Sequence, residues 1–436
     1  MTELQFSLVC IAALFLLILL RFPIGVSLIA ISLIGIGETL SWRVAWGALS
    51  SLPQHFAASW VLSSVPTFLF MGFFCYHTKL TQGLFDAARV WLWRLPGGLA
   101  VASVFGCSGF AAVTGSSVAC AAAMGRVAVP EMVRNGYKPA FAAGTAAASG
   151  TIGALIPPSI LMILYGIIAQ APISSLFLGG ISIGIITMLG YSLLIILRAK
   201  LNPALAPPAA LEGLEKGRLE ALIEVWPVLL IVVGVFGGLF SGYFSATEAG
   251  AVGATLSVLV SAIKGQFSFE AVRRAAVETL TATSSLLIIA IGASLLTRFL
   301  ALSGFSREVL EMFRVWDPSP YLVILLILMV YLVIGMVLEP IGAMLLTLPI
   351  FVPLVGEAGF SLIWFGILVT KVLEVGMLTP PVGMNVFVIK NVVGKMMTTT
   401  EIFRGVTPFV VLDLGILALM VALPGIVLYL PNLVGN

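Results

Sequence analysis

Apolar runs longer than any soluble fold needs follow one another along this chain, at residues 4–40, 61–76, 99–113, 117–129, 141–170 and 173–197. After one polar interruption they resume at 226–244, 246–263, 279–302, 321–337, 343–355, 360–376, 382–393 and 407–430. A helix needs about 20 apolar residues to cross a hydrocarbon layer of ~30 Å. Only 9% of the residues are charged, against roughly 25% in soluble proteins, and the mean hydropathy is +1.15. A water-soluble fold is excluded, and there is room for roughly ten helical crossings. The net charge of +3 contains no basic block that would follow a phosphate backbone, so nucleic acid is not a partner.

The first run has no basic flank and leads through Pro23 into another apolar stretch, so it reads as a membrane segment rather than a secretion signal. Cys10, Cys75, Cys107 and Cys120 lie in apolar context without metal-ligand spacing and read as small core residues. His55 and His77 read as interfacial residues near helix ends. Residues 198–224 bring charges and three prolines together. Arg198, Lys200, Lys216 and Arg218 make this linker the most basic connection, which assigns it to the cytoplasmic side. Residues 267–278, FSFEAVRRAAVE, have an apolar and a charged face at helical spacing, as in an interfacial helix or an amphipathic connector.

One motif occurs twice. Gly153-Ala154-Leu155-Ile156-Pro157-Pro158 recurs as Gly376-Met377-Leu378-Thr379-Pro380-Pro381, an offset of 380 − 157 = 223 residues, which Pro130 and Pro353 share. Such self-similarity predicts two halves on one plan: a first membrane repeat over 1–197, the linker at 198–224, a second repeat over 225–405 and a C-terminal membrane helix over 406–436. Each motif follows two apolar pieces joined at a small or polar tip, Thr114-Gly115-Ser116-Ser117 in one half and Glu339-Pro340-Ile341-Gly342 in the other. Return arms closed by Pro130 and Pro353 are short for a crossing, which predicts re-entrant hairpins at about 97–134 and 320–355.

A diproline removes two N–H groups and obstructs carbonyls one turn earlier. It predicts broken helices at about 140–170 and 360–393, with free carbonyls at Gly153 and Ala154 and at Gly376 and Met377. Such carbonyls must be buried in protein or line a polar cavity. Paired breaks in two halves point to the midplane site of a secondary transporter built from inverted repeats, where carbonyls and hydroxyls suit Na⁺ and half-helix N-termini suit an anion. The small-residue stretches at 119–125 and 140–154 allow close helix packing and would also let one bundle slide past another.

Ionisable groups within the apolar runs are functional candidates by default. Glu339 at the second tip and Glu374 before the second break suit ion coupling, while Glu38 and Asp413 read as lying near segment ends, and Glu248 completes the set. Lys371, one turn before Glu374, reads as its ion-pair partner or as an attractor for a substrate carboxylate. No nucleotide-binding Gly-x-x-x-x-Gly-Lys-[Ser/Thr] is present. Gly180-Ile181-Ser182-Ile183-Gly184 matches a nucleophile elbow in pattern but lies in a continuous apolar run, so an intramembrane hydrolase using Ser182 is a minor alternative.

The residues Arg21-Phe22-Pro23-Ile24-Gly25, Thr114 to Ser117, GALIPPS at 153–159, Thr247-Glu248-Ala249 and GMLTPPVGMN at 376–385 carry a family likeness. Across essentially its whole length the chain resembles the large membrane subunit of tripartite ATP-independent periplasmic transporters. The resemblance implies an all-α polytopic protein of the bacterial inner membrane in which an elevator-type transport domain, holding both hairpins, moves against a scaffold. It implies Na⁺-driven import of organic anions such as C4-dicarboxylates or sialic acid. The implied partners are a small membrane subunit and a periplasmic substrate-binding protein, both as separate polypeptides. One Na⁺ site would combine Gly115, Ser116 and Ser117 with Thr151, Gly153 and Pro157; a second would combine Glu339, Pro340 and Gly342 with Gly376, Thr379 and Pro381. Substrate would lie between the tips, near Thr114, Ser159, Lys371 and Asn385, with Lys371 standing where the family implies a polar uncharged residue. A proton-coupled carrier and a passive channel are the competing transport readings.

Overall fold

The computed structural model describes residues 3–207 and 217–434, so the middle of the linker lies outside the described residues, as does the side chain of His55. Every regular element among the described residues is a helix. The first half contains α1 (Glu3–Leu19), α2 (Ile24–Thr39), α3 (Trp42–Ala57), α4 (Ser64–His77), α5 (Gln82–Leu92), α6 (Gly98–Thr114), α7 (Ser117–Arg134), α8 (Pro139–Thr151), α9 (Ile160–Ile168) and α10 (Ile173–Leu201). The linker ends in α11 (Arg218–Ile223), followed by α12 (Trp226–Phe240), α13 (Ala246–Ile263), α14 (Phe269–Leu302) and α15 (Phe305–Trp316). The chain continues through α16 (Pro320–Gly335), α17 (Pro340–Glu357), α18 (Leu362–Gly376), α19 (Met384–Val393), α20 (Thr399–Ala422) and α21 (Gly425–Val434).

Polar residues at the breaks start many of these helices. Ser41, Ser116, Ser159, Ser268, Ser319 and Ser361 each accept an N–H of the following turn, which satisfies one of the donors that every helix start leaves open. Glu248 and Glu401 close capping boxes with Ser245 and Thr398. The Glu248 carboxylate, a candidate by its apolar context, therefore has a structural partner, accepting from the Ser245 N–H at 2.7 Å.

By length and apolar composition six helices among the described residues can cross a membrane, or seven when the pair Val61–His77 and Gln82–Leu92, bent by 67°, counts as one span. This is fewer than the hydropathy average admits, because Gly, Pro and Ser tips divide several apolar runs into shorter helices. The segment 267–278 is neither a separate interfacial helix nor a connector. After the Ser268 cap nothing interrupts it, and it forms the first turns of the 34-residue α14.

Pro130 and Pro353 do not close the return arms. Both lie inside helices, and α7 and α17 each run for 18 residues, about 27 Å at 1.5 Å per residue. A proline near a helix end removes one hydrogen bond without ending the helix.

Among the described residues the apolar core has two large clusters, with two small ones around Ala87, Val90, Ala221 and Val225 and around Phe74, Ala271 and Ala275. One large cluster gathers α6, α7, α8, α19 and the adjoining part of α20; the other gathers α9, α16, α17 and most of α18 with residues of α2, α4 and α14. The far arm of each broken helix thus packs with the opposite hairpin. Close approach of α8 and α20 is possible because Gly144 and Gly405 meet backbone to backbone, where a Cβ on Gly405 would strike the Ala140 carbonyl.

Candidate functional site

The first tip is made by a left-handed glycine. Gly115 has φ +60° and gives its N–H to the Ala111 carbonyl at 3.0 Å. A Cβ there would strike the carbonyl of Pro158, so only glycine lets tip and break approach this closely. Ser116 is extended and caps α7, accepting the Ala119 N–H at 3.4 Å. Ser117 then projects its hydroxyl to Glu374, donating to Oε1 at 3.0 Å, with Met377 Sδ 3.6 Å away.

At the first break α8 ends in a 3₁₀ turn, Ile152–Ala154, before the diproline, whose Pro157–Pro158 bond is cis; Ser159 then restarts the chain as the cap of α9. Among the described residues the Gly153 and Ala154 carbonyls receive no hydrogen bond, as two missing proline donors require. Gly153 packs on the Ser116 carbonyl, 2.8 Å from where its Cβ would stand.

The second break differs. The Gly376 carbonyl accepts the Thr379 N–H at 3.0 Å, and the Met377 carbonyl accepts the Asn385 N–H at 3.1 Å. The expected free carbonyls are therefore occupied, because the chain folds back after its cis Pro380–Pro381 bond and returns a donor from the start of α19. The second tip begins at Glu339, half-buried and extended before Pro340 at the start of α17.

The two tips meet around one cavity of about 60 Å³. Gly115, Ser116 and Ser117 line it from the first tip, Glu339 and Pro340 from the second, Ala154 from the first break, and Glu374 and Met377 from the end of α18. Glu374 is only 1% exposed, and its Oε2 has no hydrogen-bond partner among the described residues. A buried carboxylate is costly unless a charge or donors compensate it. Carboxylate, hydroxyl and bare carbonyl oxygens around a small space form the donor set of a hard cation.

The other predicted residues sit outside this lining. Thr114 donates to the Phe110 carbonyl at 3.0 Å, Thr379 to Val375 at 2.7 Å, and Ser159 serves as a cap. Gly342 faces Ile24, Gly376 packs on the Gly335 backbone, Pro157 is buried and Pro381 is exposed. Asn385 is fully buried with neither amide atom partnered among the described residues.

Thr151 and Lys371 belong to a second polar cluster. Thr151 meets the Tyr191 hydroxyl at 3.1 Å, Tyr191 donates to Asp413 Oδ2 at 2.6 Å, and Lys371 Nζ lies 2.5 Å from Asp413 Oδ1 and 3.3 Å from Thr187 Oγ1. Lys371 and Asp413 are both fully buried. Asp413 thus stands in the middle of α20 rather than near a segment end, and it, not Glu374, is the partner of Lys371. The long lysine side chain crosses to the neighbouring helix, while Glu374 turns toward the tips. The available signal was one cation, Lys371, for two anions, Glu374 and Asp413, in the runs 360–376 and 407–430, where membrane burial demands a pair without saying which.

Glu38 lies exposed in the last turn of α2, and His77 at the end of α4 pairs with Glu278 at 3.0 Å. All four cysteines are free and buried. Ser182 sits within the continuous helix α10 and donates to the Leu178 carbonyl at 3.3 Å, without the strand-to-helix turn that exposes a nucleophile.

Residues 11–426 match the family model described as tripartite ATP-independent periplasmic transporter, DctM component. Over 381 residues the chain is 34% identical to the C4-dicarboxylate TRAP transporter large permease protein of Pseudomonas aeruginosa, covering 86% of this chain and 87% of that one. A permease of the same description from Vibrio cholerae is 30% identical, covering 97% and 98%. The sialic acid TRAP transporter large permease protein of Vibrio cholerae is 27% identical, covering 94% and 95%. In fold, the Alcanivorax borkumensis YdaH transporter superposes with a TM-score of 0.62 at 16% identity over 88% of this chain and 89% of that one. These relatives are transporter permeases and not enzymes, which removes the Ser182 hydrolase.

Proposed function

We propose, from the premise that this chain belongs to the DctM component family of tripartite ATP-independent periplasmic transporters, that it is the large membrane subunit of a sodium-coupled importer of organic anions. The single observation that carries this reading is the cavity where both hairpin tips meet Glu374. Its oxygens suit Na⁺, and the unpartnered Oε2 of Glu374 would supply the counter-charge and a ligand in place of lost water. At the ~30 Å³ that a water takes in the liquid, about 60 Å³ holds about two water-sized groups. That accommodates an ion with some water but not the eight heavy atoms of a C4-dicarboxylate. Substrate entry therefore requires the tips to separate, and because both close one cavity they move with the site, as in an elevator of transport body against scaffold.

The named relatives favour a carboxylate cargo, a C4-dicarboxylate or a sialic acid. The chain works in the bacterial inner membrane with a small membrane subunit, and a periplasmic binding protein delivers the cargo. Proteoliposomes containing both membrane subunits, supplied with the binding protein and labelled succinate or N-acetylneuraminate, should accumulate substrate only under an inward Na⁺ gradient. The bare Glu374 oxygen also favours a second reading, a proton carrier: uptake that persists in choline and collapses with the pH gradient would establish it. Equilibration without accumulation would instead indicate a channel.

A further inference from the structure

A second and much larger space lies between the first hairpin and α4, α5 and α14. Its volume is about 560 Å³, within the ~300–1,000 Å³ typical of small-ligand sites. Its wall residues nearest the first tip are Phe110 of α6 and Ala123 of α7, about 6 Å along the helix from Thr114 and about 9 Å from Ser117 at 1.5 Å per residue. Gly72 of α4 backs onto Thr114, and one turn lower Tyr76 sets its ring edge-on to Phe110 at 6.4 Å. From there the cleft runs along α7 as far as Arg126 and Val127, about 14 Å from Ser117 at 1.5 Å per residue. Its far end lies on the linker side: Arg89 of α5 pairs with Glu131 of α7 at 2.9 Å, and Trp91 donates to the Arg218 carbonyl at 3.3 Å. The basic linker marks that side as cytoplasmic.

The lining combines apolar walls with an excess of positive charge. Lys79, Arg126 and Arg274 face it against one carboxylate, Asp86. Arg274 is held by Glu270 at 2.7 Å, and His77 by Glu278. Among the described residues neither Lys79 nor Arg126 lies in an ion pair; Arg126 donates only to the Tyr76 hydroxyl, at 3.1 Å. Low-dielectric walls with charge of one sign concentrate counter-ions. Nothing in the Na⁺ site uses these residues.

We propose that this cleft is an anion-binding vestibule in which Lys79 and Arg126 hold the carboxylate cargo as it leaves the tips for the cytoplasm. The inference rests on the transport reading above and adds a second binding site on the exit path. Carboxylate and lipid phosphate share the chemistry recognised here, so the test separates them.

The four native cysteines are buried, and Val127 is 44% exposed in the cleft, so a Val127→Cys variant gives thiol reagents one accessible target. Reconstituted with the small subunit in phosphatidylcholine vesicles opened to both faces, it should react about tenfold faster with an anionic than with a cationic methanethiosulfonate. Millimolar succinate should slow the anionic reaction. Lys79→Gln with Arg126→Gln should abolish both the preference and the protection, and Lys79→Arg with Arg126→Lys should restore them. Equal rates for the two reagents, or succinate without effect while Na⁺-driven uptake is intact, would overturn the vestibule. Protection by phosphatidylglycerol but not by succinate would overturn it in favour of a lipid headgroup. Protection by succinate in a protein whose uptake ignores Na⁺ would uphold the vestibule and refute the sodium reading alone.

Discussion

Replacing Lys371 by Met leaves Asp413 as an unpaired carboxylate in a fully buried position, and replacing both residues by apolar side chains should repair most of the damage. At 2.5 Å and an effective dielectric of about 20, the attraction within the pair is about 7 kcal/mol. Desolvation of two fully buried ions opposes it by several kcal/mol each, so the intact pair contributes little net stability. A single substitution removes the attraction and keeps one penalty. Lys371→Met or Asp413→Leu alone should therefore cost about 3–5 kcal/mol, whereas the double variant should fall between no change and a gain of about 1–4 kcal/mol. Tyr191 loses its bond to Asp413 in the double variant but keeps Thr151 at 3.1 Å, which limits the residual cost. Unfolding in a fixed detergent can be followed through Trp364, whose indole N–H donates to the Met420 carbonyl at 2.9 Å and so reports on the same α18–α20 contact. A Lys371→Met variant within about 0.5 kcal/mol of the parent, the range of ordinary surface changes, would refute the buried-pair argument. Uptake by a stable double variant also decides whether Lys371 touches substrate: transport that survives removal of the ammonium assigns it to structure alone.

Sodium at a hundredfold excess over its dissociation constant should stabilise the parent by about 2.7 kcal/mol relative to choline. Glu374→Gln should lose most of that difference, seen as a salt-specific shift in the unfolding midpoint. Gly115→Ala combines a left-handed φ of +60° with a collision at the Pro158 carbonyl, so it should cost at least about 1–3 kcal/mol and stop uptake. Asn385→Leu removes two buried, unpartnered amide atoms and should raise stability by about 1–3 kcal/mol. If the amide serves cargo, uptake falls in the same variant; unchanged uptake with unchanged stability would show that ordered water already satisfies it.

What the sequence makes legible here is chemistry fixed by near neighbours, and what it hides is chemistry completed from a distance. The breaks at Pro157–Pro158 and Pro380–Pro381 are readable because the lost N–H groups belong to the prolines themselves. Whether a carbonyl stays bare depends on the fold: Gly153 and Ala154 do, while Met377 recovers a donor from Asn385, which no helical period announces. Pro130 and Pro353 were poor guides to helix ends for the converse reason, since one missing bond in the last turns does not outweigh the packing of the whole arm. Asp413 is 42 residues from Lys371, so the pair is legible as a necessity of burial but not as an address. The deepest omission is the exchange of arms. Because α9 packs with the second hairpin and α19 with the first, the cavity lies on the seam between two apolar clusters rather than inside either. That seam is stitched by two continuous helices, since α10 gives Ile183 to one cluster and Tyr191 to the other, and α20 gives Ile416 to one and Phe409 to the other.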